Sequence, residues 1–169
     1  LNVIDFFHQG VAFLPHNEEG LGDVLVTYGN HGEREIEKVT VRGYLQQLTR
    51  FLGKDLITLR QCYGQAIAKK QMVPLPLAPH WTLIPVYVRK PIGKQQAHGW
   101  IVKQAIERIE GERSMVLHLR GNHQILVYHT YADLRRILRE AQLVELHYQL
   151  LHQTPDWVKE SKEYYLYKI

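Results

Sequence analysis

The segment that opens at Thr130 most constrains the fold. Thr130-Tyr131-Ala132-Asp133 has the Thr-x-x-acid form of a capping box, in which side chains satisfy backbone groups that a helix start leaves unpaired. Leu134, Ile137, Leu138, Ala141, Val144, Tyr148 and Leu151 then recur at i, i+3, i+4, i+7 spacing. The pattern predicts one long amphipathic helix running to about His152, before Pro155. Leu143, Leu146 and Leu150 make it apolar beyond a single stripe. That fits either a deeply buried core helix or one that also meets a partner subunit.

The rest of the chain reads as shorter pieces. Val11–Leu14, Asp23–Tyr28 and Glu35–Val41 have strand character, with Pro15, Gly20, Gly22 and the Gly29-Asn30-His31-Gly32 turn as breakers. Val41, Tyr44, Leu45, Leu48 and Leu52 lie at helical spacing between a Thr40 cap and a Gly53 stop. A second short helix is predicted over Asp55–Tyr63. Lys69–Pro79, with Pro74, Pro76 and Pro79, reads as extended. Strands return at Trp81–Val88, Trp100–Ile109, Ser114–Arg120 and His123–Tyr128, the last two joined by a hairpin at Gly121-Asn122. The expected fold class is α+β: mainly antiparallel strands, a few short helices and one long amphipathic C-terminal helix. Residues 1–153 are expected to form a single domain and 154–169 a tail.

Hydrophobic residues at 45% and charged residues at 22% are near globular averages, which argues against disorder or a fibre. No apolar run approaches the ~18 residues of a membrane span, so no membrane partner is expected. One cysteine, Cys62, excludes an intramolecular disulfide framework and fits a reducing, cytoplasmic location.

The net charge of +4 hides an uneven distribution. Residues 1–49 carry net −4 and residues 104–169 are neutral. Residues 50–103 carry net +8, with Arg50, Lys54, Arg60, Lys69, Lys70, Arg89, Lys90, Lys94 and Lys103 against the single acid Asp55. Like charges repel, so a block this basic points to a polyanionic partner such as nucleic acid, anionic lipid or phosphates. A solvated surface balanced by acids from the N-terminal third is the plainer alternative.

Catalytic signatures are missing from the sequence. The ten histidines show no His-Glu-x-x-His, and a lone cysteine makes no Cys-x-x-Cys, so no metal site is expected. Nothing around Cys62 resembles a nucleophile motif, and there is no P-loop, Gly-x-Ser-x-Gly or dinucleotide fingerprint. Neither an enzyme nor a cofactor is expected. The segment Arg89-Lys90-Pro91-Ile92-Gly93-Lys94, followed by Gln95 and Gln96, reads as a basic loop suited to a DNA groove, since Arg and Lys neutralise phosphate and Arg and Gln can reach into a narrow A·T-rich minor groove. The two helices around Gly53 suggest a helix-turn-helix for the major groove, but the second reads as too short for that role.

The order of these features resembles the ComK family of bacterial competence transcription factors. The matching segments are Val11-Ala12-Phe13-Leu14-Pro15, Arg50-Phe51-Leu52-Gly53, Arg60, the stretch Lys70–Pro79, Trp81–Val88 with Pro85 inside, and Gly99-Trp100-Ile101. The strand–turn–strand–helix ending from Ser114 to about Leu150 is also similar. Leu52 stands where the family has an aromatic, and His98 where it often has cysteine. The resemblance implies a DNA-binding activator of DNA-uptake genes that binds A·T-rich double-stranded sites, largely through the minor groove and as a multimer. It also implies an adaptor that delivers the protein to a Clp protease.

On this reading the expected DNA contacts are Arg50, Lys54, Arg60, Lys69, Lys70, Arg89, Lys90 and Lys94. Leu143, Leu146 and Leu150 are expected to mediate homo-oligomerisation. Tyr164, Tyr165, Leu166 and Tyr167 would meet the adaptor, or else form a final strand of the protein's own sheet. From a different functional class, the chain is an interaction module whose basic face docks an acidic protein.

Overall fold

The computed structural model describes residues 1–90 and 97–160. Among them the fold is α+β, with antiparallel strands in two sheets and one long helix near the C-terminus. The larger sheet contains β1 (Gly10–Glu18), β2 (Gly22–Gly29), β3 (Arg34–Glu37), β4 (Leu75–Ala78), β5 (Trp81–Tyr87) and β6 (His98–Val102), in the order β3-β2-β1-β6-β5-β4. The smaller sheet is β7 (Ile106–Glu110), β8 (Met115–Leu119) and β9 (His123–Val127) in sequential order. The helices are α1 (Val3–Gln9), α2 (Val41–Phe51), α3 (Leu56–Ile67) and α4 (Tyr131–Leu151), followed by a short helical turn, α5 (Asp156–Lys159). No helix among the described residues is long and apolar enough to cross a membrane.

The capping signals sit where the sequence puts them. Thr130 Oγ1 accepts from the Asp133 N–H, and the Asp133 carboxylate accepts from the Thr130 N–H. Thr40 Oγ1 accepts from the Gly43 N–H at 3.0 Å and starts α2. Gly53, at φ +71°, takes the left-handed position that ends it. The Gly121-Asn122 turn has positive φ at both residues, as tight hairpins require.

Several expectations fail for identifiable reasons. Pro15 does not break β1, which runs on to Glu18, because β6 pairs only with Ala12 and Phe13. Beyond that pairing, the missing proline N–H is tolerated. Pro85, expected inside a strand, does stand inside β5, past the stretch that β4 covers. The predicted strand Glu35–Val41 is confined to Arg34–Glu37. The single strand expected over Trp100–Ile109 is broken by a 3₁₀ turn at Lys103–Ala105, and its halves join different sheets. α3 extends through Gly64 to Ile67, four residues beyond the expected end at Tyr63. α1 carries no long periodic pattern and is unpredicted. It starts with the Asn2 side chain accepting from the Asp5 N–H, and it buries Phe6 edge-on to Phe13, Tyr44 and Trp81.

The core is one hydrophobic cluster reaching both sheets and the inner faces of α1 to α4. Trp100, Phe6, Phe13, Leu45, Leu48 and Ile84 are among its largest fully buried side chains. Burial of each such side chain contributes roughly 1.5–3 kcal/mol relative to exposure. Gly99 makes the β1–β6 contact possible, because a Cβ there would come within 2.7 Å of the Phe13 carbonyl and the Leu14 side chain. α4 lies across α3, β4 and β5. Leu143, Leu146 and Leu150 are 48%, 54% and 62% exposed, so the alternative of a wholly buried helix is overturned. Leu146 and Leu150 line a cleft of about 450 Å³ together with Pro76, Pro79 and His80. Residues 154–160 bury no side chain in the core.

Candidate nucleic-acid interface

The candidate interface begins with the cap of α3. Asp55 Oδ2 accepts from both the backbone N–H and the hydroxyl of Thr58, at 2.9 and 2.8 Å. These bonds lower the carboxyl pKa below its ordinary value and keep the cap ionised. α3 ends at Ala68 in the left-handed conformation, and Met72 adopts the same region four residues later. Left-handed backbone costs a non-glycine residue about 1–2 kcal/mol. The strained pair brackets Lys69-Lys70-Gln71 and fixes the path of that tripeptide. Lys69 turns inward and pairs with Glu140 of α4 at 3.0 Å. Lys70 and Gln71 remain exposed.

This loop forms one wall of a cavity of about 320 Å³. Arg42 from the first turn of α2, Arg60 from α3 and Lys70 from the loop line it. Behind them lie Tyr87 at the end of β5 and His98 and Trp100 from β6. The His98 ring stands 6.1 Å from both the Tyr87 and the Trp100 rings. Among the described residues no carboxylate lines the cavity, and Arg42, Arg60 and Lys70 form no ion pair. A second cleft, of about 580 Å³, shares Arg60 and Lys70 and runs along α3 past Gln61, Gln65 and Lys69.

Electrostatics mark the cavity as short of negative charge. Burial and the neighbouring Arg42 hold the Arg60 pKa below its ordinary value, although the guanidinium stays charged. Burial and the nearby Arg60 likewise lower His98 from 6.5, which leaves a neutral imidazole at pH 7. An anion placed among these groups would relieve both.

The expected DNA contacts separate. Arg60, Lys69 and Lys70 come together on the two adjoining clefts. Arg50 is exposed at the end of α2. Lys54 is half-buried, with its ammonium 5.7 Å from the centre of the Tyr148 ring. Arg89 is drawn elsewhere. It is partly buried in a separate cleft with Pro15, Tyr28 and Gln124, with Asp23 3.7 Å away. Lys103, counted in the basic block, pairs with Glu145 at 2.8 Å. Lys90 is exposed. Lys94, like Tyr164, Tyr165, Leu166 and Tyr167, lies outside the described residues.

Arg42 is the residue that sequence reasoning missed. It falls in the acidic third of the chain, and only its place in the first turn after the Thr40 cap would have set it beside α3. The histidines serve local purposes. His129 Nε2 accepts from the Tyr87 N–H at 2.8 Å, His123 donates to the Gly29 carbonyl, and His118 pairs with Glu110. No group of three or more metal-ligating side chains occurs among the described residues. No family model, curated protein or solved structure matches the chain.

Proposed function

We propose that this chain is a DNA-binding protein whose phosphate contacts come from Arg42, Arg60 and Lys70, flanked by the exposed Arg50. One observation carries the reading: cations from α2, α3 and the Ala68–Val73 loop share two adjoining clefts that no carboxylate lines among the described residues. Gln61, Gln65 and Gln71 interleave with them, supplying amides for sugar and base edges. The resemblance to ComK narrows the proposal to a transcription activator of competence genes that favours A·T-rich duplex. Minor-groove entry by the 89–94 loop then rests on Lys90 and Lys94, because Arg89 is partly buried in a separate cleft with Asp23 3.7 Å away. Multimer formation on DNA would use Leu143, Leu146 and Leu150, which α4 leaves exposed.

A major-groove reading gains from the length of α3. At 12 residues it is long enough to act as a recognition helix, and it exposes Thr58, Gln61 and Gln65 after a four-residue connection from α2. Duplex binding measured across a salt series tests the function, with an acidic polypeptide as competitor. A steep loss of affinity with salt and a preference for A·T-rich duplex are the expected results. Tighter binding to the polypeptide than to any duplex would instead assign the basic face to an acidic protein partner. Displacement by a minor-groove ligand, or by modification of the major groove, decides between the two docking modes.

A further inference from the structure

We infer that the cavity between α2, α3, the Ala68–Val73 loop and the ends of β5 and β6 is a phosphoester site for a ligand of mononucleotide size. Arg42, Arg60 and Lys70 reach it from three separate segments, and among the described residues none of them is occupied by an ion pair. Arginine forks suit phosphate oxygens, and a lysine on the rim adds a mobile charge. The half-buried Tyr87 and His98 add aromatic surface to the lining, with Met72 beside them and the fully buried Trp100 and Leu45 beneath. A planar base fits there better than a flexible chain does. The volume of about 320 Å³ lies at the small end of the ~300–1,000 Å³ range of ligand sites. The loop that delivers Lys70 is held between two left-handed non-glycine residues, Ala68 and Met72. Strain of this kind persists where the surroundings over-determine it, and such strain clusters at ligand clamps.

The inference uses the same cations as the DNA reading, so the source of the phosphoester, a strand or a free nucleotide, forms part of its test. Calorimetry on the full chain with adenosine 5′-monophosphate, inorganic phosphate, adenosine and an A·T-rich duplex provides that test. The nucleotide is expected to bind saturably, and about tenfold more tightly than phosphate or adenosine alone. Arg42→Gln and Arg60→Gln should each weaken it about tenfold or more. Both variants should melt no lower than the parent, because neither guanidinium has an ion-pair partner among the described residues. Should either fail to fold, Lys70→Gln on the exposed rim replaces it and should weaken nucleotide binding likewise.

Displacement of the nucleotide by duplex would assign the cavity to a backbone phosphate of the bound strand. Simultaneous binding would assign it to a free nucleotide acting beside the DNA. Nucleotide binding without duplex binding would keep the cavity assignment and defeat the DNA reading. Duplex binding with no saturable nucleotide binding would overturn the inference and leave the DNA reading standing. Nucleotide affinity equal in the parent and the arginine variants would also overturn it.

Discussion

Lys69, Arg89 and Lys103 each face a carboxylate, whereas Arg42, Arg60 and Lys70 face none among the described residues. In a charge count, five of these six belong to a single basic block, and Arg42 belongs to an acidic one. In the folded chain the paired cations tie elements together: the Ala68–Val73 loop to α4, the end of β5 to β2, and the Lys103–Ala105 turn to α4. The unpaired ones converge on one cavity, where Arg60 is half-buried and its pKa is held down by burial and by Arg42, while Arg42 and Lys70 stay exposed. Like charges brought together with no carboxylate between them repel, and that arrangement is what binding an external anion requires.

The largest effect should come from a paired cation. Lys69→Met strips the nearly buried Glu140 of its closest partner and leaves Arg136, at 3.5 Å, as its remaining partner among the described residues. Breaking a fully buried pair costs about 3–5 kcal/mol, so a loss of about 2 kcal/mol is expected with Arg136 still present. Denaturant unfolding checks this, and an unchanged midpoint would remove Lys69 from the structural group. Arg60→Gln should behave in the opposite way. Stability should hold within about 0.5 kcal/mol, while duplex affinity at moderate salt falls roughly tenfold. Equal destabilisation by the two substitutions would erase the distinction between the groups.

Acid should act on both regions at once. His98 and His129 are each lowered from 6.5, chiefly by burial. As pH falls, the unfolded chain therefore takes up protons before the folded one. Their contribution to stability is complete above pH 6.5 and is lost as pH falls through the depressed folded values. Protonating His129 at Nε2 also removes the acceptor for the Tyr87 N–H, which helps join the smaller sheet to β5. The melting temperature should drop by a few degrees from about pH 7.5 to about pH 5. Over the same range a charged His98 adds a cation to the cavity and should strengthen anion binding. A melting temperature that rises in acid would contradict both assignments.

Two smaller effects complete the comparison. Leu146→Lys should reduce self-association in sedimentation while leaving folding free energy within about 0.5 kcal/mol, since the residue is 54% exposed. Global unfolding would make it a core residue. Arg89→Ala should cost less than about 1 kcal/mol, because its pairing with Asp23 is long and partly solvated. A large loss of duplex affinity on that change would return Arg89 to the interface.

Local chemistry made much of the fold legible in the sequence. The Thr130–Asp133 capping box, the Thr40 cap and the Gly121-Asn122 turn depend on neighbours within a few residues, and all stand as read. What escaped depends on tertiary surroundings. The helix expected to end at Tyr63 runs on through Gly64, where a Cβ would fall 2.3 Å from the Lys69 carbonyl. The turn at Lys103–Ala105 goes with the change of sheets, and the Ala105 carbonyl accepts from the Arg120 N–H just past β8. The site was legible only as a composition. Nothing in the order of residues says that Lys69 meets Glu140 across 71 positions, or that Arg42 crosses from an acidic segment to stand beside Arg60.

The most direct test is the slope of log affinity against log salt for an A·T-rich duplex, measured in two triple variants. Arg42→Gln/Arg60→Gln/Lys70→Gln removes the unpaired cations, and Lys54→Gln/Arg89→Gln/Lys103→Gln removes three that are engaged within the fold. Each lost phosphate contact lowers the slope by about 0.9, so the first variant should lose roughly 2.7 and the second less than about 1. Equal losses in the two variants, or none in the first, would contradict the division of the basic residues on which the account rests.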